Sequence, residues 1–372
     1  MIRNITKEEI FNIPHSSAFS SVENIKLLEE ASRTLGEVNN FASGAIEYDY
    51  VVETLKNIES LTSAKIEGTT GNLQDLYAEE SLSYERKAQL KLFSAINYKN
   101  AMSEVENIVK EYKKISVGFV RHIHKILTEN DPATSGEPGK FRTTEVIVQN
   151  SKLGDFYPAH ELKVPEFMDE YVKDSHNREA LPNLINTAIS HYQFESIHPF
   201  RDGNGRTGRM LIVTDLMMRG VINFPVLNLS QYFEKNRDDY INALRSVSER
   251  HTYEQWTRFF LTGVREQSVH NLKLIKELRT IEESDSAIVN GHFQSPAASL
   301  ILKHSLNKLF ITINSTSKYL ESKKLTSASI NQVARTNIQK MLEHGILDEA
   351  NFKQGKQKVY VHKKLMHNLR NK

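Results

Sequence analysis

The sequence predicts a mainly α-helical protein with one β-hairpin near its middle and a winged-helix unit at its C-terminus. Three observations carry this reading: apolar residues recur at helical spacing through most of the chain, one stretch alternates before position 150, and a last helix is followed by two short strands. Residues 23–113 are rich in Ala, Leu, Glu, Lys and Ile, place Ile25, Leu28, Ala31 and Leu35 on one face, and contain no proline. Helices are therefore expected throughout. The next helix carries Val120, Ile123 and Leu127 and is ended by Asp131-Pro132 and the TSGEPGKFR that follows. In RTTEVIVQN, Val146 and Val148 alternate with Glu145 and Ile147, which predicts a strand pair turning at SKLGD.

A helix is again expected from Leu184 to Ile197, and MLIVTDLMM reads as a helix buried on most sides. Beyond Gly263 the composition shifts toward Lys, Ser and Asn, with a helix expected at about 264–283. TSASINQVARTNIQKMLEHGILDE predicts a helix closed by Gly345, with Ile330, Val333, Ile338, Met341 and Leu342 apolar, and FKQGKQKVYVHKK predicts two strands about Gly355. The expected division is a helical region at 1–113, a core at 114–263, and a linker helix with a winged-helix unit at 264–372.

Composition bounds the function. With 39% hydrophobic and 25% charged residues the chain is a protein that folds in water, and 372 residues leave room for two or three domains. The 48 basic and 46 acidic residues nearly cancel, so the whole chain lacks a field that attracts polyanions. Absence of cysteine excludes disulfides and thiolate metal sites. The opening MIRNITKEEIFNIPHSS has no apolar stretch of leader or membrane-span length, so a cytoplasmic location without membrane association is expected.

Between the two expected core helices lies HPFRDGNGRTGR, residues 198–209. Gly203-Asn204-Gly205 just before a helix turns the chain sharply and aims several backbone N–H groups at one point, which suits an anion. Arg206 and Arg209, three apart on the first helical turn, can face one side and grip further oxygens, as a di- or triphosphate requires. Asp202 among these cations makes sense as a ligand of a magnesium ion bridging phosphate and water. His198, four residues earlier, can take a proton from an incoming hydroxyl. Singly, these residues also read as a helix terminator, a turn and a solvated charged face. Together, between apolar helices, they point to phosphate chemistry.

These residues resemble the signature of the Fic family, H-x-F-x-(D/E)-G-N-G-R-x-x-R, with every defined position matched. The resemblance extends over roughly 50–265, through GKFR with its hairpin and through NRDDYINAL. It implies a helical core with a hairpin flap and transfer of AMP from ATP, with Mg2+, to a hydroxyl side chain of a target protein. By the same resemblance His198 is the base and Phe200 anchors the loop. Asp202 holds magnesium, Gly203, Asn204 and Gly205 form the anion hole, Arg206 and Arg209 bind phosphate, and Tyr240 lies near the adenine. Gly205 separates the chain from a subgroup that carries lysine there and transfers phosphate. The flap, through Val146 and Val148, is expected to hold a target segment as an added strand, although both valines also fit ordinary hairpin packing.

SAKIEGT at 63–69 is similar to the family's inhibitory pattern, (S/T)-x-x-x-E-(G/N), through Ser63, Glu67 and Gly68. The same residues also read as a helix cap with an exposed acid. The resemblance implies that Glu67 pairs with Arg209 in the place of the γ-phosphate, and in some relatives this glutamate also supports removal of AMP. His122 and His124 project apart on a helix and are not expected to hold a metal; His191 is expected in the core or behind the site. The winged-helix tail, with Arg335, Lys340, Lys353, Lys356 and Lys358, leaves DNA binding open. The alternative function is a DNA-binding regulator whose core only senses nucleotide. A homodimer is also left open.

Overall fold

The computed structural model describes residues 4–13, 21–43, 49–178, 180–325 and 329–370. Thr326–Ala328, the start of the expected TSASINQ helix, lie outside the described residues. A short α1 (Lys7–Phe11), closed by a Thr6–Glu9 capping box, leads to α2 (Val22–Ser43) and α3 (Asp49–Ile66). Short helices α4 (Leu73–Tyr77) and α5 (Tyr84–Gln89) precede α6 (Phe93–Glu111). Helix α7 (Val117–Thr128) starts on the Ser116 cap and stops before Asp131-Pro132, as its breakers require.

The region after it departs from expectation. The strand pair expected around Val146 and Val148 is a loop closed by a single antiparallel bridge, Val148–Phe156, with both N–H···O distances at 3.0 Å. Ile147 and Val148 are exposed there, so no buried face rewards a longer ladder.

The centre is built from α8 (Val164–Asn177), α9 (Asn183–Ile197) and α10 (Asn204–Met218). Both α9 and α10 are buried on nearly every side, and they pack on each other. Helices α11 (Leu229–Lys235) and α12 (Arg237–Arg250) lead into α13 (Glu254–His292), a spine of 39 residues. The helix expected at about 264–283 is part of this longer element, which runs through position 263 without a break. Trp256 is fully buried where α13 meets α9, its indole N–H donating to the Ala188 carbonyl at 2.7 Å. Further along, α13 lies against α2.

The C-terminal unit runs α14 (Pro296–Lys308), β1 (Phe310–Ile311), α15 (Ile313–Ser322), α16 (Ile330–Glu343), β2 (Leu347–Gln354), β3 (Gln357–His362) and α17 (Lys363–Leu369). Its antiparallel sheet has the order β1-β3-β2, with Ile311 opposite Tyr360 and Leu347 opposite His362. This is the winged-helix order, and β1, absent from the sequence reading, completes it. The unit is fastened to α13 through Asp285, which accepts from Lys364 at 2.6 Å and lies 3.4 Å from His362. Among the described residues no helix is long and apolar enough to cross a membrane.

Candidate active site

The loop joining α9 to α10 is held in a conformation its own residues resist. His198 ends α9 with φ +49°, left-handed backbone that costs a non-glycine residue roughly 1–2 kcal/mol. Arg142, buried just before the flap, holds this turn. Its Nε donates to the His198 carbonyl at 2.8 Å, its Nη2 donates to the Ala159 and Ile197 carbonyls, and its backbone N–H donates to Pro199 O at 2.9 Å. One planar guanidinium thus satisfies carbonyls that the αL turn frees from the helix.

Phe200 is fully buried and stacks on His124, ring centroids 3.6 Å apart. His124 Nδ1 accepts from the Gly139 N–H at 2.9 Å, so the other nitrogen carries the proton and donates to the Asp202 carbonyl at 2.9 Å. Burial, with Arg206 nearby, lowers the His124 pKa to about 4, keeping the ring neutral in this role. The Asn204 side chain closes the loop on itself, accepting from Phe200 N and donating to Phe200 O, both at 2.8 Å. Its amide is therefore committed to loop geometry, and only its backbone N–H is left for an anion. Gly203 adopts φ +77°, and a Cβ there would stand 2.8 Å from Thr128 Cγ2.

With the loop so fixed, α10 points its N-terminus into a cavity of about 360 Å³ lined by Glu67, Val146, Val148, Glu195, His198, Asp202, Gly205, Arg209 and Tyr240, among others. The first N–H groups of α10, at Asn204, Gly205 and Arg206, have no acceptor within the helix. The nearest ring nitrogen of His198, Nδ1, lies 3.3 Å from the Glu195 carbonyl, so Nδ1 carries the proton and Nε2 is the basic nitrogen. Burial lowers its pKa to about 4, assisted by Arg142, and the imidazole is neutral and available as a base at physiological pH. Asp202 borders the same cavity, its Oδ2 accepting from Ser135 N at 2.9 Å and its Oδ1 from Gly203 N at 2.6 Å. Among the described residues no group of three or more His, Asp or Glu side chains could enclose a metal. A single carboxylate fits magnesium well, since that ion takes most of its ligands from phosphate and water.

The two arginines do not share a side. Arg209 borders the cavity, whereas Arg206 turns behind the loop, donating to Asp131 and Ser94 at 3.1 Å, to Leu127 O at 3.2 Å and to Thr134 at 2.9 Å. The phosphate-gripping role expected for its guanidinium is not its geometry here. A buried carboxylate, Asp131 on the α6–α7 side, outcompetes the cavity for it.

Arg209 is fully engaged with α3. Its Nε donates to Ser63 Oγ at 2.9 Å and its Nη2 to Ser63 O at 3.0 Å and to Glu67 Oε1 at 2.8 Å. Burial opposes ionisation of Glu67, but Arg209, with Arg206 and Arg237, holds its carboxyl below the usual range. The carboxylate also lies over the first turn of α10: a Cβ on Gly205 would stand 2.6 Å from Glu67 Oε1 and 2.9 Å from Arg209 Nη1. Gly68 follows with φ +98°, ending α3 in a conformation that favours glycine.

Tyr240 is largely buried, stacked on Phe233 at 4.4 Å, with its hydroxyl 2.7 Å from His191 Nε2. His191 Nδ1 faces the Gly208 carbonyl at 3.2 Å and must donate to it, so Nε2 accepts from Tyr240 and the phenol's donor is spent in the core. Only the ring of Tyr240 is left to border the cavity. His122 is on the surface, 3.5 Å from Glu104, and shares nothing with His124.

Three residues of the site went unrecognised in the sequence. Arg142 was visible only within GKFR, and His124 only as half of an H-x-H pair. Glu195 stands one turn before His198, with Oε2 3.7 Å from Nδ1 and a buried Oε1 that has no hydrogen-bond partner among the described residues. Burial raises its pKa to about 7. Spacing from His198 was the one signal that could have found it.

Fold and site define a helical protein whose flap-bordered cavity brings a helix N-terminus beside a buried, neutral histidine. The Fic/DOC family model matches residues 114–216, and the Fic/DOC family N-terminal model matches residues 25–107. The chain belongs to the Fic/DOC family. It is similar to protein adenylyltransferase fic-1 of Caenorhabditis briggsae, 33% identical over 127 residues that make up 33% of this chain and 24% of the relative. A probable protein adenylyltransferase of Aquifex aeolicus is 26% identical over 203 residues, 53% of this chain and 57% of that one. The chain therefore spans less than two thirds of the length of these curated relatives. Among solved structures, a Fic family protein from Desulfovibrio desulfuricans G20 superposes with a TM-score of 0.57 at 16% identity, covering 94% of this chain and 97% of that one. Residues 134–508 of Fic-1 from Caenorhabditis elegans superpose at 0.52 with 22% identity, covering 68% and 72%. Both share the fold.

Proposed function

We propose that the chain is a protein adenylyltransferase, moving AMP from ATP to a Ser, Thr or Tyr hydroxyl of a target protein or of itself, with Glu67 as a built-in brake. One observation carries the reading: the neutral His198, its proton fixed on Nδ1, presents a free Nε2 beside the N-terminus of α10 and the Asp202 carboxylate. In the reaction the target oxygen bonds to the α-phosphorus, the bond from that phosphorus to the bridging oxygen breaks, pyrophosphate leaves, and His198 Nε2 takes the hydroxyl proton. A base of this kind contributes about 10²–10⁴-fold. Asp202 would hold Mg2+, which supplies charge neutralisation to the phosphate oxygens. The N–H groups at 204–206 and Arg209 bind and orient the phosphates, each preorganised donor contributing about 2.7–4 kcal/mol to the transition state. The phenyl ring of Phe200 and the guanidinium of Arg206 act behind the loop, keeping these groups in place.

Glu67 supports the brake because its carboxylate takes up Arg209 and covers Gly205, the ground a terminal phosphate needs. The flap offers the exposed Ile147 and Val148 and an incomplete ladder to a target segment, which supports docking by strand addition. Names of the relatives agree with this activity. Incubation with α-labelled ATP and Mg2+ tests it: label is expected in protein, lost in His198→Ala and increased in Glu67→Gly, with the mass of one AMP added per site. Label from γ-labelled ATP instead would overturn the reading.

A further inference from the structure

We propose that the C-terminal winged-helix unit binds double-stranded DNA, with α16 in the major groove and the β2–β3 wing on the backbone. The near-neutral whole chain conceals a strong asymmetry. Residues 296–372 hold fourteen lysines and arginines against four acids, while the remainder holds 34 against 42. A basic end is thus joined to an acidic body, the distribution of a local polyanion site.

Side-chain types on α16 sharpen this. Gln332, Arg335, Thr336 and Gln339 are exposed at i, i+3, i+4 and i+7 and form one stripe, while Ala334, Ile338 and Met341 are buried on the opposite side. Arginine pairs with guanine edges, glutamine with adenine, and threonine with the thymine methyl, so this stripe carries base-reading chemistry. Arg335 has no ion pair among the described residues. Beside the helix, Lys353, Lys356 and Lys358 are exposed on the hairpin that turns at Gly355, φ +61°, and Lys358 is held by Glu349 at 3.0 Å. The base of β2 packs on the turn at 79–81, which leaves the wing tip at 355–358 and the outer stripe of α16 as the open surface.

Other occupants fit less well. No exposed large apolar side chain occurs among the described residues of this unit, so there is no wedge for a membrane and no aromatic platform on which single-stranded bases would stack. The fold by itself would not justify the assignment; charge sign and donor type do.

The test titrates the full-length protein into a fluorescein-labelled random-sequence duplex of about 30 base pairs, read by anisotropy from about 50 to about 200 mM KCl. Binding is expected to weaken steeply with salt. The Lys353→Ala/Lys356→Ala pair is expected to lower affinity about tenfold and to flatten the log–log salt slope by about 2. Selection from the pool is expected to enrich a short sequence, and Arg335→Ala to lose about tenfold of that preference. All these positions are exposed and distant in sequence from the cavity, so self-labelling with α-labelled ATP should be unchanged. Absence of binding at the lowest salt, wild-type binding by the double variant, or an unenriched pool would overturn the proposal. So would equal or tighter binding to single-stranded RNA of the same length or to phosphatidylglycerol vesicles.

Discussion

Arg209 reaches across from α10 to α3 and donates to both ends of one helical turn, to Ser63 at 2.9 Å and to Glu67 at 2.8 Å. The pair is buried on the arginine side and open on the glutamate side. A buried arginine facing a partly exposed glutamate is the asymmetry that the proposed brake would need to be released.

Replacing Glu67 by glycine should raise AMP transfer about tenfold, the charge-assisted bond being discounted because Glu67 is partly exposed to solvent. Initial rates of labelling from α-labelled ATP measure this. Its carboxyl pKa lies below the ordinary range, so the pair is fully formed at neutral pH and weakens only as pH falls through that lowered value. Acidification from pH 8 to pH 6 should not release the brake; a large activation over that interval would contradict it.

Gly205→Ala should abolish transfer even when Glu67 is already glycine. The added methyl would still stand 2.9 Å from Arg209 Nη1, in the space above the α10 N-terminus. Thermal melting should change little, because the cavity rather than the core is crowded, and nucleotide binding by calorimetry should be lost.

Arg142→Ala leaves four carbonyls without their donor, those of Ile197 and His198 in the αL turn and those of Thr144 and Ala159 beside it. Several unmet groups of this kind amount to about 3 kcal/mol of destabilisation, and the αL turn should relax. The lysine variant, which keeps the charge but not the fork, should recover stability only in part. Denaturant melts check the first expectation. For the second, kcat should fall at least about 10²-fold with little change in KM for ATP.

Glu195 gives a pH signature. Its folded pKa of about 7 is above the ordinary carboxylate value, so between these the native state binds a proton that the unfolded chain releases. Stability from this group is present at acid pH and falls as pH rises toward 7, with an upper bound of about 3 kcal/mol. Glu195→Gln should remove that slope and melt higher than the parent at pH 8, with no advantage at pH 4. A parallel pair of Tm–pH curves would disprove the assignment.

Asp202→Asn should raise the Mg2+ requirement for transfer, and chelation should stop labelling in the parent. Ser135 N–H and Gly203 N–H bond to different oxygens of Asp202, so the single amide oxygen of asparagine keeps one of them and its NH2 faces the other, and a modest loss of stability, read by thermal melting, should accompany the change.

Local pattern was enough to place most helices and the loop between α9 and α10, because helical periodicity, Pro-Gly breaks and a glycine-rich turn act within a few residues. Residue type and spacing also singled out His198, Asp202 and Arg209, the family resemblance added Glu67, and the structure brings all four to one cavity. The expected strand pair at the flap is reduced to the single antiparallel bridge Val148–Phe156, because alternation says nothing about whether a second sheet or core waits to bury one face. The two-residue strand β1 escaped for the opposite reason: pairing with β3 creates it, and pairing is non-local.

Direction was what residue types and spacing left undecided. Arg206 and Arg209 are one turn apart and look equivalent, yet Asp131 draws one behind the loop and Ser63 with Glu67 draws the other into the cavity. For both arginines the competing partner lies far off in the chain. A side chain long enough to choose between partners takes the one that satisfies a buried charge or a broken helix end, and only the packed tertiary structure brings those partners within reach.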